Sequence, residues 1–299
     1  SLNSSAAMSF PSITITSPTV LTNNLSSGLT IGTALAGNGG LTQGTGDSLI
    51  LGGTATGITL TASASGNTVT YNSTTAGQTM LAGPYYHLTI NKSGQIATLG
   101  GSTTVDGNLT VSAGTLAGSA NLTVAGNATG AGTLNLTGGT FIQRSTANQS
   151  IGATAGSNNW TFNDLAFEND GGSPVTFTSA SGNTGNFTVS GTLTIGNATD
   201  TATTTFDADT NPKALITGSV IITSQGTLDA PSSGTFSVAA DWTNDGSLVP
   251  NTSTITLNGS GGSTQTITGN TTFYNLTSTT ATARTLAFET GSTTTVSHT

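Results

Sequence analysis

Apolar side chains recur at every second position along almost the whole chain, and this alternation limits what it can fold into. Ile13/Ile15, Leu29/Ile31, Leu49/Leu51, Val69/Tyr71, Leu88/Ile90, Leu109/Val111 and Leu122/Val124 are early pairs of the series. Phe187/Val189, Leu193/Ile195, Phe236/Val238, Ile255/Leu257 and Leu286/Phe288 carry it almost to the C-terminus. Thr usually separates the partners, and Gly, Asn, Asp or Ser brackets each pair. In an extended chain successive side chains point to opposite faces. Alternation therefore sends the apolar set inward and leaves Thr outside, where a β-branched residue suits a pleated surface. No window carries a helical i, i+3, i+4 stripe, so the chain reads as all-β.

The short strands recur at regular intervals. Gly114-Thr115-Leu116 returns as Gly132-Thr133-Leu134, and Gly226-Thr227-Leu228 returns as Gly246-Ser247-Leu248. A longer module reads Val69-Thr70-Tyr71-Asn72, Gln78-Thr79-Met80 and Tyr85-Tyr86-His87-Leu88. It comes back around Gln149-Ser150-Ile151 with Trp160, and again around Gln265-Thr266-Ile267 with Phe273-Tyr274-Asn275-Leu276. Periods of this size mark coiled architectures in which each rung buries its apolar face against its neighbours. The expected fold is a parallel β-solenoid, or β-helix, with short rungs of about 18–22 residues. Residues 1–60 repeat less clearly and read as an N-terminal strand, cap or assembly segment. Residues 61–299 read as the repeat region.

Composition removes several functions. Thr (66) and Ser (35) make up a third of the 299 residues, while only 5% of residues are charged and the formal net charge is −8. Four scattered Lys and Arg residues do not neutralise a phosphate backbone, so no nucleic-acid partner is expected. With no Cys there is neither a disulfide framework nor a thiolate nucleophile or zinc ligand. No apolar run approaches the ~18 residues of a membrane-spanning helix, so membrane insertion is not expected. No signal-peptide pattern is visible. Disordered chains pair low hydrophobicity with high charge; here 33% of residues are hydrophobic and patterned, which argues for order.

The Gly107-Asn108-Leu109-Thr110-Val111 and Gly-Thr-Leu units, with the Gln-Thr-Ile and Phe-Tyr-Asn-Leu-Thr module, resemble the repeats of large prokaryotic surface proteins. These are the repetitive β-helical adhesins and fibre-forming exoproteins of the filamentous-haemagglutinin and autotransporter type. The resemblance covers about residues 60–290 and implies an extracellular or cell-surface location with a role in adhesion or structure. It carries over no catalytic residue.

Candidate sites are few. Asp207, Asp209 and Asn211 place three oxygen side chains at alternate positions, a pattern that suits Ca²⁺, but the run lacks the Gly and distal Glu of a known calcium loop and reads better as an Asx-rich turn. Otherwise no cofactor is expected. Asp164, Glu168 and Asp170 are the nearest approach to a catalytic carboxylate cluster, and no Gly-x-Ser-x-Gly elbow accompanies them; the chain is read as a non-enzyme. Tyr85, Tyr86, Trp160, Trp242 and Tyr274 would stack on sugar rings if exposed, or plug the coil where its width changes. Asn-x-Ser/Thr occurs at 16 of 25 asparagines, including Asn72, Asn108, Asn121, Asn127, Asn186, Asn197 and Asn275, as candidate glycosylation sites. Alternating segments near both ends, with Phe10, Ile13 and Ile15 at one and Leu286, Phe288 and Val296 at the other, read as assembly strands. The expected function is a structural subunit of an extracellular filament or surface fibre. Copies would join head to tail by end-rung stacking or donation of an N-terminal strand. The alternative is a monomeric adhesin stalk or module that binds surface glycans.

Overall fold

A computed structural model of the protein describes residues 1–75, 77–182, 185–209, 214–280 and 282–298. No helix occurs among them, and strand pairing is parallel throughout the registers assigned to each unit. The chain divides into two compact units, Ser1–Gly139 and Thr140–Thr299, and each is a parallel β-solenoid.

In the first unit each strand pairs with its counterpart one turn later, and long strands such as Leu29–Gly37 and Leu109–Gly118 each cover two shorter strands of the next turn. The longest stack begins with Met8–Ile15 and continues through Leu29–Gly37, Ser48–Leu51, Thr68–Tyr71, His87–Thr98, Leu109–Gly118 and Ala128–Gly130. Its register aligns Met8, Leu29, Leu49, Val69, Leu88, Leu109 and Ala128 in one inward file. A second file runs through Leu21, Leu41 and Leu60, and a third through Ala97, Leu116 and Leu134. Leu29, Leu49, Val69, Leu88 and Leu109 are fully buried, so the period-two pattern does separate core from surface. Outside the first file lie Thr30, Ile50, Thr70, Thr89, Thr110 and Thr129, again in register.

The expected rung of about 18–22 residues holds in this unit. Its strand registers include a short step from Leu116 to Leu134 and a wide one from Ile13 to Leu35, and an isolated bridge sets Ala62 beside Tyr85. Leu49 and Ile50, within residues 1–60, pair in register with Val69 and Thr70, so the parallel stack continues across residue 60.

The second unit has longer turns. Phe141 pairs with Leu165 and Phe177 with Phe206, and both steps exceed the one from Ile13 to Leu35. Later steps shorten again, as between Phe236 and Ile255. The wide turns include the strands Asp164–Asn169 and Val175–Ser179, and the added residues enter the loops between strands. A wider rung encloses more space, and aromatic rings fill it: Phe141, Trp160, Phe162, Phe167, Phe177, Phe206 and Trp242 are all fully buried. Phe167 and Phe206 stack with ring centroids 4.4 Å apart and planes 19° from parallel, and Phe141 meets Phe162 edge-on at 5.3 Å. Trp160 and Trp242 thus plug the coil, and neither reaches solvent.

Two local devices turn the corners. At Gly114 φ is 75°, and a Cβ there would lie 1.9 Å from the Lys92 carbonyl oxygen, so only glycine lets neighbouring turns approach. Asn and Asp supply the other device: a side-chain oxygen accepts a backbone N–H from the next turn. Asn108 Oδ1 takes the N–H of Asn127 at 3.0 Å, Asp164 Oδ1 that of Thr192 at 2.8 Å, and Asp241 Oδ1 that of Thr266 at 2.8 Å. Each such bond closes a donor that the strand ladder leaves open at the bend.

The packing predicts that Phe206→Ala lowers the stability of the second unit by about 3–5 kcal/mol. Phe288→Ala, at a ring that is 51% exposed, lowers it by less than about 1 kcal/mol. Chemical denaturation of the two variants beside the parent chain checks both values.

Candidate functional site

The repeated Gln of the module is the polar feature that the fold treats most consistently. In the first unit Gln78 is buried, and its Nε2 donates to the carbonyl oxygens of Leu51 (2.8 Å) and Gly53 (2.6 Å). In the second unit Gln265 is buried, and its Nε2 donates to the carbonyls of Val238 (3.0 Å) and Ala240. In both copies the acceptors lie 27 and 25 residues upstream. The first acceptor of each pair also takes a backbone N–H, from Asn72 and Asn258 respectively. Each Gln therefore locks its own turn to the preceding one at the point where a strand ends.

A cation completes each bracket. Lys92 is 1% exposed, and its Nζ donates to the carbonyl oxygens of Ser73 (2.8 Å) and Thr75 (3.3 Å) and to Gln78 Oε1 (3.4 Å). Burial pushes its pKa below the usual lysine value. Arg284 donates to Gln265 Oε1 through Nη1 and to the Leu257 carbonyl through Nη2. In the middle copy the roles differ: Gln149 is half-buried and donates to Ser145 Oγ at 3.2 Å, while the fully buried amide is Gln143, bonded to the Ser150 carbonyl at 3.2 Å. The sequence shows the Gln as a repeated letter but not its partner, because Lys92 follows Gln78 by 14 residues and Arg284 follows Gln265 by 19. Two of only four cations in the chain falling downstream of a module Gln was the available signal.

Beside the first bracket, Tyr71 and Tyr85 meet inside the coil. Tyr85 donates to the Leu81 carbonyl at 2.5 Å, so the 2.9 Å contact between the hydroxyls has Tyr71 as donor; the Leu81 N–H returns to the Tyr71 oxygen at 3.1 Å. Burial raises the Tyr71 pKa to about 12, and it raises that of Tyr85 as well. Tyr85, Trp160 and Trp242 are thus unavailable to a sugar. Tyr86 and Tyr274 are half-buried and pack on histidines, Tyr86 on His87 at 4.6 Å and Tyr274 flat against His298 at 4.8 Å.

The acidic candidates are engaged with their own backbone. Asp207 Oδ1 accepts the N–H of Asp209 at 3.0 Å, and Asp209 Oδ1 accepts that of Ser232 at 2.8 Å. This is an Asx-type turn; Asn211 lies outside the described residues. Among the described residues no group of three or more His, Asp or Glu side chains is placed to hold a metal ion. Asp207 stacks in register on Asp229, whose pKa is raised chiefly by burial while a hydrogen bond from Asn251 opposes the rise. Asp164 and Glu168 point outward from one strand about 13 Å apart, whereas a glycosidase pair needs roughly 5–9.5 Å. Asp170 is paired with Arg144 at 2.9 Å. Burial raises the Glu168 pKa, with Arg144 beside it working in the opposite sense. An open groove of about 450 Å³ in the second unit, lined in part by Asp245, Asn270, Glu289 and Ser292, carries polar groups without an aromatic platform.

The candidate assembly residues separate into two groups. Phe10 and Ile13 are half-buried and Ile15 is buried, all on a strand already paired along Leu29–Gly37 of its own chain. Leu286 is half-buried, Phe288 is 51% exposed and Val296 is 44% exposed. Among the sequon asparagines, Asn108 and Asn121 are exposed and Asn72, Asn127, Asn186, Asn197 and Asn275 half-buried. The chain matches no family model, no curated protein and no solved structure.

The buried groups set two measurable costs. Replacing Gln78 or Gln265 with Leu leaves two carbonyls and a cation short of a partner and costs about 2–4 kcal/mol, measurable by urea titration. The tyrosine pair makes the first unit base-sensitive. An unfolded tyrosine loses its proton near pH 10 and a folded one later, so stability present below pH 10 falls as the pH rises toward 12 and beyond. The expected slope is about 1.4 kcal/mol per pH unit for each tyrosine. A Tyr71→Phe/Tyr85→Phe double variant should show a shallower loss in denaturation runs at pH 10, 11 and 12.

Proposed function

We propose that the protein is a structural subunit of an extracellular filament or surface fibre, joined head to tail by stacking of end rungs. The observation that carries this reading is the state of the outermost rungs. In the second unit the strands Asn275–Ser278, Thr285–Phe288 and Thr294–Val296 pair on one side only among the described residues. They present Leu276, Phe288 and Val296, which continue the inward files of Ile255, Ile267 and Phe273. In the first unit Met8–Ile15 pairs on one side only among the described residues, with Met8 and Phe10 half-buried. Open parallel edges backed by core side chains accept a further rung, whether from a continuation of the same chain or from another copy. A contact between unlike ends repeats without closing, which gives an open polymer.

End stacking is favoured over strand donation because Met8–Ile15 already occupies a place in its own coil, and donating it would uncover Leu29–Gly37. The resemblance to repetitive β-helical surface proteins and the Cys-free, weakly charged composition agree with an extracellular setting. The buried Tyr85, Trp160 and Trp242 weaken the glycan-binding alternative.

Negative-stain electron microscopy of the purified 299-residue chain is expected to show fibres at high protein concentration. Phe288→Asp with Val296→Asp should abolish them while leaving the far-ultraviolet circular dichroism unchanged. Dispersed rods at every concentration, or fibres that survive the double substitution, would overturn the proposal.

A further inference from the structure

The corner asparagines point to a modification. Four sequon residues share one geometry: Asn108 in the first unit, and Asn148, Asn159 and Asn270 in the second. Each is exposed. The Oδ1 of each accepts a backbone N–H from the next turn: Asn127 at 3.0 Å, Thr176 at 2.8 Å, Asn186 at 2.9 Å and Thr293 at 2.8 Å. The carboxamide is thereby fixed with its oxygen against the protein, and its Nδ2 makes no hydrogen bond to it. A hydroxyl stands two residues on in every case, at Thr110, Ser150, Thr161 and Thr272.

Four other sequons lack this arrangement. Asn275 donates Nδ2 to Thr254 Oγ1 at 3.2 Å, and Asn251 donates to Asp229 Oδ1 at 2.6 Å and to the Ala230 carbonyl at 2.7 Å. Asn197 hydrogen-bonds to Glu168. At Asn72 it is the oxygen that is buried without a partner.

From this contrast we infer that Asn108, Asn148, Asn159 and Asn270 are N-glycosylation sites, an inference that rests on the extracellular reading above. The donor would be an activated sugar carried on a phosphate or pyrophosphate, presented by a separate transferase. Nδ2 attacks the anomeric carbon and gives one proton to a base of the transferase; the N–C bond forms as the bond from that carbon to the phosphate oxygen breaks, and the phosphate leaves with the electron pair. Oδ1 takes no part, so the corner hydrogen bond survives the modification. Neutral sugars at the corners would solubilise a surface that has little charge of its own.

The test is glycopeptide mapping by mass spectrometry of the protein from its native source, with the fibres imaged in the same preparation. Sugar is expected on the four peptides and absent from those of Asn72, Asn197, Asn251 and Asn275. Unmodified peptides at the four sites, or modification confined to the other group, overturn the inference; intact fibres without sugar would leave the structural proposal standing. Asn108→Asp separates structure from modification, because it keeps an oxygen for the Asn127 N–H and removes the acceptor nitrogen. It should lose its glycan with an unchanged melting temperature, whereas Asn108→Ala should lose the glycan and melt lower.

Discussion

When each strand pairs in parallel with the strand one turn later, every residue lies about 4.8 Å from its counterpart, and like is set on like along the whole stack. Apolar residues, Thr, Asn and Gln tolerate this, since they pack on or hydrogen-bond to their own kind; Asn23 above Gln43 is one such pair, with Nδ2 to Oε1 at 2.8 Å. Charges of one sign repel when they stand directly opposite. A chain with 5% charged residues is therefore a physical match to its architecture. The stacked Asp207 and Asp229 show the exception and its remedy, because Asn251 donates to the second carboxylate at 2.6 Å.

Much of this was legible in the sequence. Alternation separates Leu109 and Val111, which are buried, from Thr110 between them, and the regular returns of Gly-Thr-Leu and its Gly-Ser-Leu variant fix the coil. The longer turns of the second unit were not legible. Additional residues in a corner loop leave no periodic trace, and the clustering of Phe167, Phe177, Phe187 and Phe206 acquires its meaning only when the rungs are counted. The exposed sequons were equally hidden, since an Asn whose oxygen caps the next turn and an Asn whose nitrogen is consumed are written with the same letters.

The Gln brackets show why a solenoid with few charges still places a cation inside. Where a strand ends, the Leu51 and Val238 carbonyls keep one backbone partner, and those of Gly53 and Ala240 turn to a Gln side chain. One Gln side chain supplies two N–H donors to the turn before it, and its oxygen is an acceptor. Gln78 Oε1 takes the Ser73 N–H at 3.2 Å and Lys92 at 3.4 Å, and Gln265 Oε1 takes Arg284. Among the described residues each of these cations is thus held by carbonyl and amide oxygens with no opposing carboxylate, and Arg284 Nε stays buried without a partner.

The aromatic residues are divided unevenly between the two units. Trp160 and Trp242, with every Phe except Phe10, fall in the second; Tyr71, Tyr85 and Tyr86 fall in the first. Indole emission therefore reports the second unit alone, and it starts from a fully dry environment at both positions. Tyrosine absorbance is weighted toward the first, through a buried hydroxyl pair whose band shifts on exposure. The protein carries its own two-colour optical labels, which allow the melting of either half to be followed in the intact chain without an introduced dye.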